Sequence, residues 1–342
     1  MSVLPSDVTF YGSADMPDGD GVVTGGAVDF ATIVNFNDIT PTGTMDYVSS
    51  SASDTAVTIA VTGRDSTGAI QTETKTLTGT TPVVGSQSFQ RLLKGLTGGT
   101  TAVGDVAAIS TTAVVTGTAQ GGAAATSTAS ATITLASGQG ASCTIGMILR
   151  TTGGTGPNQI RRIIAISTDT VSVNRNWTTT PDNTTTYTVN HGMLFDLAPN
   201  QVTQNRRPFY NAAADASGGS TRTYYEKIFA VNNNTTTALT GAAIAKIADP
   251  SGVGSTFEFA LTNVLNDTGT VTTRQTAPAT GITAFTTGAS PQTISVPSPG
   301  NLPSGAVPNA AGAQGVWLSL QLLAGSAASN TFVEMRATGT TT

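Results

Sequence analysis

The chain has 342 residues, among them 38 Gly and 64 Thr, with a charged fraction of 10% where about a quarter is usual. One His and one Cys, His191 and Cys143, exclude zinc fingers, iron–sulfur proteins and disulfide frameworks. The net charge of −5 speaks against a nucleic-acid-binding face, and the long uncharged run between Asp105 and Arg150 is too rich in Gly, Ser, Thr and Gln for a membrane helix.

A hydrophobic fraction of 38% still permits packed cores. Abundant Thr and Val favour pleated surfaces, and Gly and Asn serve turns, so the composition predicts an all-β protein. Charge is unevenly spread. Residues 1–63 hold eight Asp and no Lys or Arg, a segment charge of −8, which leaves +3 for the remainder. The first basic side chain is Arg64, so a secretory leader with a basic start is not expected.

Residues 1–35 carry isolated apolar anchors and no sustained period of 2 or 3.6. The segment reads as an extended N-terminal arm that orders against a partner subunit, with a solvated leader as the competing reading. Its contact residues are Phe10, Tyr11, Met16, Asp18, Asp20 and Phe30, and its removal is expected to leave the rest of the chain folded. Residues 36–115 read as a β-sandwich-like domain. There Val57, Ile59 and Val61 alternate with Thr58, Ala60 and Thr62, and Arg64–Gly68 supplies a turn before a return strand over 69–77. Glu73 and Lys75 then share one side, and Phe89, Leu92, Leu93 and Leu96 lie on a short helix or irregular strand.

Residues 116–198 form a small β-barrel-like module, with predicted strands over 131–135, 143–150, 160–166 and 170–174 and a loop near Pro181 packed by Trp177 and Tyr187. Residues 199–342 form a C-terminal β-sandwich domain, whose clearest strands are 224–232, 257–261 and 316–322, with 332–337 able to close the sheet. Pro291, Pro297, Pro299, Pro303 and Pro308 mark the intervening stretch as loop or edge. The predicted architecture is thus an extended arm plus two β-sandwich domains flanking a small β-barrel-like module.

The chemistry-bearing residues do not assemble into a motif. His191 lacks a recognisable nucleophile or orienting acid, and no G-x-S-x-G elbow exists. Cys143 lies in an apolar stretch and reads as packing. Asp15, Asp18 and Asp20 lack the bidentate Glu of a calcium loop, the first Glu being Glu73. Gly153–Gly156 has the glycines of a phosphate loop without its Lys and helix. The four Glu are scattered, which disfavours a glycosidase pair. Trp177 and Trp317 read as packing ahead of a lectin platform. Arg161–Arg162 and Arg206–Arg207 are expected to bridge to another subunit's acidic arm. No catalytic, cofactor-binding or metal-ligating residue is assigned.

Three stretches carry a resemblance. Val57–Asp65 with Glu73–Val83 resembles a module of tailed-bacteriophage virion proteins. Gly153–Ile163 with Val173–Thr178 and Pro181 is similar to a small β module of phage structural and fibre proteins. Tyr225–Asn233 with Gln314–Leu318 resembles a β-sandwich domain of the same kind of protein. The likeness implies a non-enzymatic virion component made in the host cytoplasm. The leading expectation is a capsid decoration (cement) protein on the outer surface of the phage particle, bound to major capsid protein subunits as a homo-oligomer, with a trimer favoured. A tail, neck, baseplate or fibre-associated part is the alternative, and a glycan-binding adhesin or depolymerase a third. No cofactor, nucleic acid or membrane is expected.

Overall fold

The computed structural model describes residues 2–34, 38–126, 128–195, 202–215, 217–248, 254–286, 292–326 and 333–341. The fold is all-β with several sheets, a multi-sheet β-sandwich architecture. Its only helical turns among the described residues are the short 3-10 segments Pro5–Asp7 and Gly140–Ser142. The chain forms two compact units. The first comprises Met1–Val3, Asp7–Phe30 and Pro208–Thr342, the second Leu4–Ser6 and Ala31–Arg207.

In the first unit one sheet runs in the order Ser255–Leu265, Ala313–Leu322, Arg222–Asn232, Val8–Asp15 and Thr24–Ile33, the last of these continuing into the second unit. Pairing is antiparallel, with Tyr11 opposite Phe229, Lys227 opposite Trp317 and Phe259 opposite Leu318. A three-stranded sheet of Gln292–Ser295, Thr240–Ala248 and Glu334–Thr340 completes this unit. Tyr11, Tyr224, Phe229, Phe259 and Trp317 are buried. The expected closing strand begins at Glu334; Phe332 lies outside the described residues.

The N-terminal segment is therefore corrected from arm to framework. Val8–Asp15 pairs with Arg222–Asn232 of the same chain, more than two hundred positions away in sequence. Its inward positions are Thr9, Tyr11 and Ser13, and those of the next strand include Thr24, Gly25 and Gly26. Polar and side-chain-free residues face inward, so hydropathy does not alternate although the backbone does. Gly25 is required there: its φ is 109°, and a Cβ would lie 2.9 Å from the Trp317 ring.

In the second unit, Val57–Arg64 sits between Ile70–Thr76 and Arg91–Gly99, burying every second residue. Arg91–Gly99 is a regular strand where the sequence allowed a short helix. The turn is set by Asp65, whose Oδ1 accepts from the Thr67 and Ala69 amides at 2.8 and 3.0 Å. Glu73 and Lys75 share a face and pair at 3.2 Å. A four-stranded sheet of Gly192–Phe195, Val106–Ser110, Met45–Ser49 and Val83–Val84 contributes Met45, Tyr47, Val106 and Phe195 to a core shared with Ile59, Val61 and Leu92.

The same unit holds a seven-stranded sheet from Gly121–Ala123 through Thr132–Thr134, Thr170–Val173, Ile160–Ser167, Ile148–Gly153 and Thr186–Asn190 to Val115–Thr118. Most of one buried cluster, including Ile133, Leu149, Ile163, Val171 and Val189, comes from this sheet, which therefore wraps around its own core. Ladder irregularities at Thr151–Gly153 and Ile163–Ala165 supply the bending. The glycine-rich loop 153–156 is a hairpin turn. Gly154 has φ 68°, and a Cβ there would lie 2.0 Å from the Thr184 carbonyl.

Candidate interaction site

The six contact residues named from sequence separate into two groups. Tyr11 is buried, with its ring edge-on to Phe30 at 5.1 Å, and its hydroxyl accepts from Asn233 Nδ2 at 3.1 Å. Phe10 and Phe30 are half-buried on strands. Met16, Asp18 and Asp20 lie on the connection between the first two strands, where both Asp are exposed. The Asp18 carboxylate accepts from the Tyr210 hydroxyl at 2.7 Å, and its carbonyl accepts from Asn211 Nδ2. Asp20 accepts from Gln275 Nε2 at 3.3 Å and stands 3.7 Å from Arg274 Nη1. The connection is thus fixed at two points, and it presents Val22 and Val23, 47% and 48% exposed.

The anchor beneath it is a buried ion pair. Arg274 Nη2 and Glu226 Oε1 form an ion pair at 3.0 Å, both side chains being fully buried. Its guanidinium stacks over Tyr224 at 4.9 Å, and Glu226 also accepts the Phe209 amide at 3.0 Å. Nearby in the sheet, Lys227 Nζ donates to the carbonyls of Gly26, Asp267 and Gly269 at 2.9, 2.9 and 3.1 Å and to the Asp267 carboxylate. Burial pushes the Lys227 pKa down and Asp267 opposes the shift.

One acid of the front end and one arginine of the two pairs do meet, within one chain. Asp38 accepts from Arg207 at 2.7 Å and from Arg91 at 3.3 Å. Asp54 accepts from Ser49 Oγ and the Val103 and Gly104 amides at 2.6, 2.7 and 2.9 Å. Arg161 is 2% exposed and bonds Asp105 Oδ2 at 2.9 Å. The expectation of a bridge to another subunit is corrected for Arg161 and Arg207, whose acids are supplied by the same chain. Sequence reasoning missed Asp105, Arg175, Lys227 and Arg274. One signal was available: in a chain so poor in charge, an ionisable residue inside an apolar strand is a candidate for a buried pair.

Asp105 and Arg161 belong to the wall of a cavity of about 220 Å³ in the second unit. Trp177 lies beneath Arg161, its ring centre 5.4 Å from the guanidinium, and donates from Nε1 to the Thr132 carbonyl at 2.9 Å. Trp317 is 2% exposed. Both indoles are packing residues, unavailable as lectin platforms. Cys143 is buried, and burial raises its thiol pKa with Asp169 adding to the effect, so it favours the unreactive protonated form. Among the described residues no three His, Cys, Asp or Glu side chains form a metal-binding group, and no helix is long and apolar enough to cross a membrane.

His191 sits between Thr186–Asn190 and Gly192–Phe195 with its Nδ1 buried and without a hydrogen-bond partner. Burial lowers its pKa and Asp38 opposes the shift. An unfolded imidazole protonates near pH ~6.5, so below that pH the unfolded chain binds more protons than the folded one. Stability should therefore fall between about pH 7 and 5, and His191→Gln should flatten that part of the profile. Urea midpoints across this range check the sign; parallel profiles for the two proteins would refute it.

No family model matches the chain, and no curated protein or solved structure is found to be similar to it.

Proposed function

We propose that the chain is a non-enzymatic structural component of a tailed-phage particle, a decoration protein that bridges major capsid subunits on the outer shell. The likeness of the three sequence segments supports this reading. The observation that carries it further is the connection over residues 16–23. Asp18 and Asp20 hold this connection on Tyr210, Gln275 and Arg274, and Val22 and Val23 project from it. A contact loop ordered in advance loses less conformational entropy on docking than a free arm would. Exposed sheet edges favour assembly as an oligomer, a trimer in our reading. Ile70–Thr76 ends its sheet, with Ile70 itself 54% exposed, and Gln292–Ser295 and Glu334–Thr340 flank a three-stranded sheet.

Quantitative mass spectrometry of purified particles tests the reading. Hundreds of copies per particle are expected, and a V22S/V23S variant should fold normally yet fail to bind particles stripped of the protein. A few dozen copies or fewer, or undiminished binding by the variant, would count against it.

A further inference from the structure

We infer that Lys227 and Asp267 condense to an intramolecular isopeptide bond, an amide from Lys227 Nζ to Asp267 Cγ that staples the first unit from within. Both residues belong to that unit and neither lies on the connection over 16–23, so the inference does not depend on the decoration reading.

Placement is the first argument. Lys227 stands on the strand Arg222–Asn232 opposite Trp317, and its side chain is fully buried. Its Nζ lies 5.0 Å from the ring centre of Phe229 and 5.6 Å from that of Trp317, and it contacts the Asp267 carboxylate through Oδ2. Asp267 is held there from both sides. Its neighbour Asn266 donates from Nδ2 to the Ala311 carbonyl and accepts the Ala313 amide at Oδ1, each at 2.9 Å. The Gly269 amide donates to Asp267 Oδ2 at 3.1 Å, and the Gly269 carbonyl accepts the Gly26 amide at 3.0 Å. Amine and carboxyl group are thus fixed against each other, which removes the entropy cost of a bimolecular encounter.

The surroundings favour the amide over the ion pair. Burial disfavours the ammonium form of Lys227, which brings the neutral, nucleophilic amine within reach. Condensation also removes two charges from the sheet, whose desolvation their mutual attraction offsets only in part. The step balances within the pair. The ammonium passes one proton to Asp267 Oδ2, and the freed lone pair attacks Cγ. The Nζ–Cγ bond forms, the Cγ–Oδ2 bond breaks, and Oδ2 leaves as water with a second proton from the nitrogen. The Asp267 side chain is 21% exposed, which gives that water an exit. One N–H remains on the nitrogen. Of the carbonyls of Gly26, Asp267 and Gly269 that Nζ bonds, Gly269 keeps the Gly26 amide as a donor and the remaining N–H serves one other. A single carbonyl gives up its donor.

Mass spectrometry of the full chain, denatured and digested with trypsin, tests the bond. Lys227 ends the peptide 223–227, and Asp267 lies in the peptide 247–274. The cross-linked protein should resist cleavage after Lys227 and yield 223–246 joined to 247–274, lighter by one water than the two peptides together. The intact denatured chain should likewise be one water lighter than its sequence requires. Asp267→Ala should restore cleavage after Lys227 and the full mass of its own sequence. Should that variant not fold, the joined wild-type peptide still decides, because an ion pair does not survive denaturation. A free 223–227 peptide from a wild-type chain of full mass would overturn the inference. So would a lost water located at Asp18–Gly19 or Asp20–Gly21, where closure to a succinimide also releases water.

Discussion

Asp105→Ala is expected to destabilise the second unit by about 3–5 kcal/mol, the cost of leaving a buried cation without its partner. Asp105 is 0% and Arg161 2% exposed, and their 2.9 Å contact is shared with Arg175. Removing the carboxylate takes from Arg161, packed over Trp177, the acid that balances its charge. Asp105→Asn, which keeps the shape and loses the charge, should show most of the same loss. Trp177 fluorescence during urea unfolding, in a Trp317→Phe background, reads the effect from the second unit. A loss below about 1 kcal/mol would be the behaviour of an exposed pair and would contradict the buried-network description.

The second large effect concerns the N-terminal strands. Tyr11→Ala should cost about 3–5 kcal/mol, as for other buried aromatic truncations. It removes a fully buried ring, its edge-on contact with Phe30 and the acceptor for Asn233. Deleting residues 1–35 goes further, because it removes the whole of the paired strands Val8–Asp15 and Thr24–Ile33. Far-UV dichroism of the truncated chain should lose native strand signal, and urea unfolding should lose cooperativity. An unchanged spectrum would restore the picture of a dispensable arm.

The contrast between these strands and the Val57–Thr76 hairpin explains what could be read in advance. Val57, Ile59 and Val61 are buried and their neighbours are half-exposed, so burial and hydropathy carry the same period of two. The strands Arg222–Asn232 and Ala313–Leu322 were legible for their runs of aromatic and branched residues. Val8–Asp15 was not, because Thr9 and Ser13 face inward beside Tyr11. The candidate site was legible only in its ingredients. Asp18 and Asp20 stood out as acids in a segment without bases, yet their partners Tyr210 and Arg274 are 192 and 254 positions away, distances that no local pattern spans. The cavity was harder still. Arg161 was visible as half of a dibasic pair, whereas Asp105 and Arg175 carry no local signature and acquire a role only when the sheets fold together.

The most direct test of the central proposal is a low-resolution map of intact particles that contain this chain. The account predicts all-β density on the outer face of the shell, repeated at sites of three-fold symmetry and touching neighbouring capsid subunits through the connection over residues 16–23. Density confined to the neck, tail or baseplate, or particles without the chain, would contradict it.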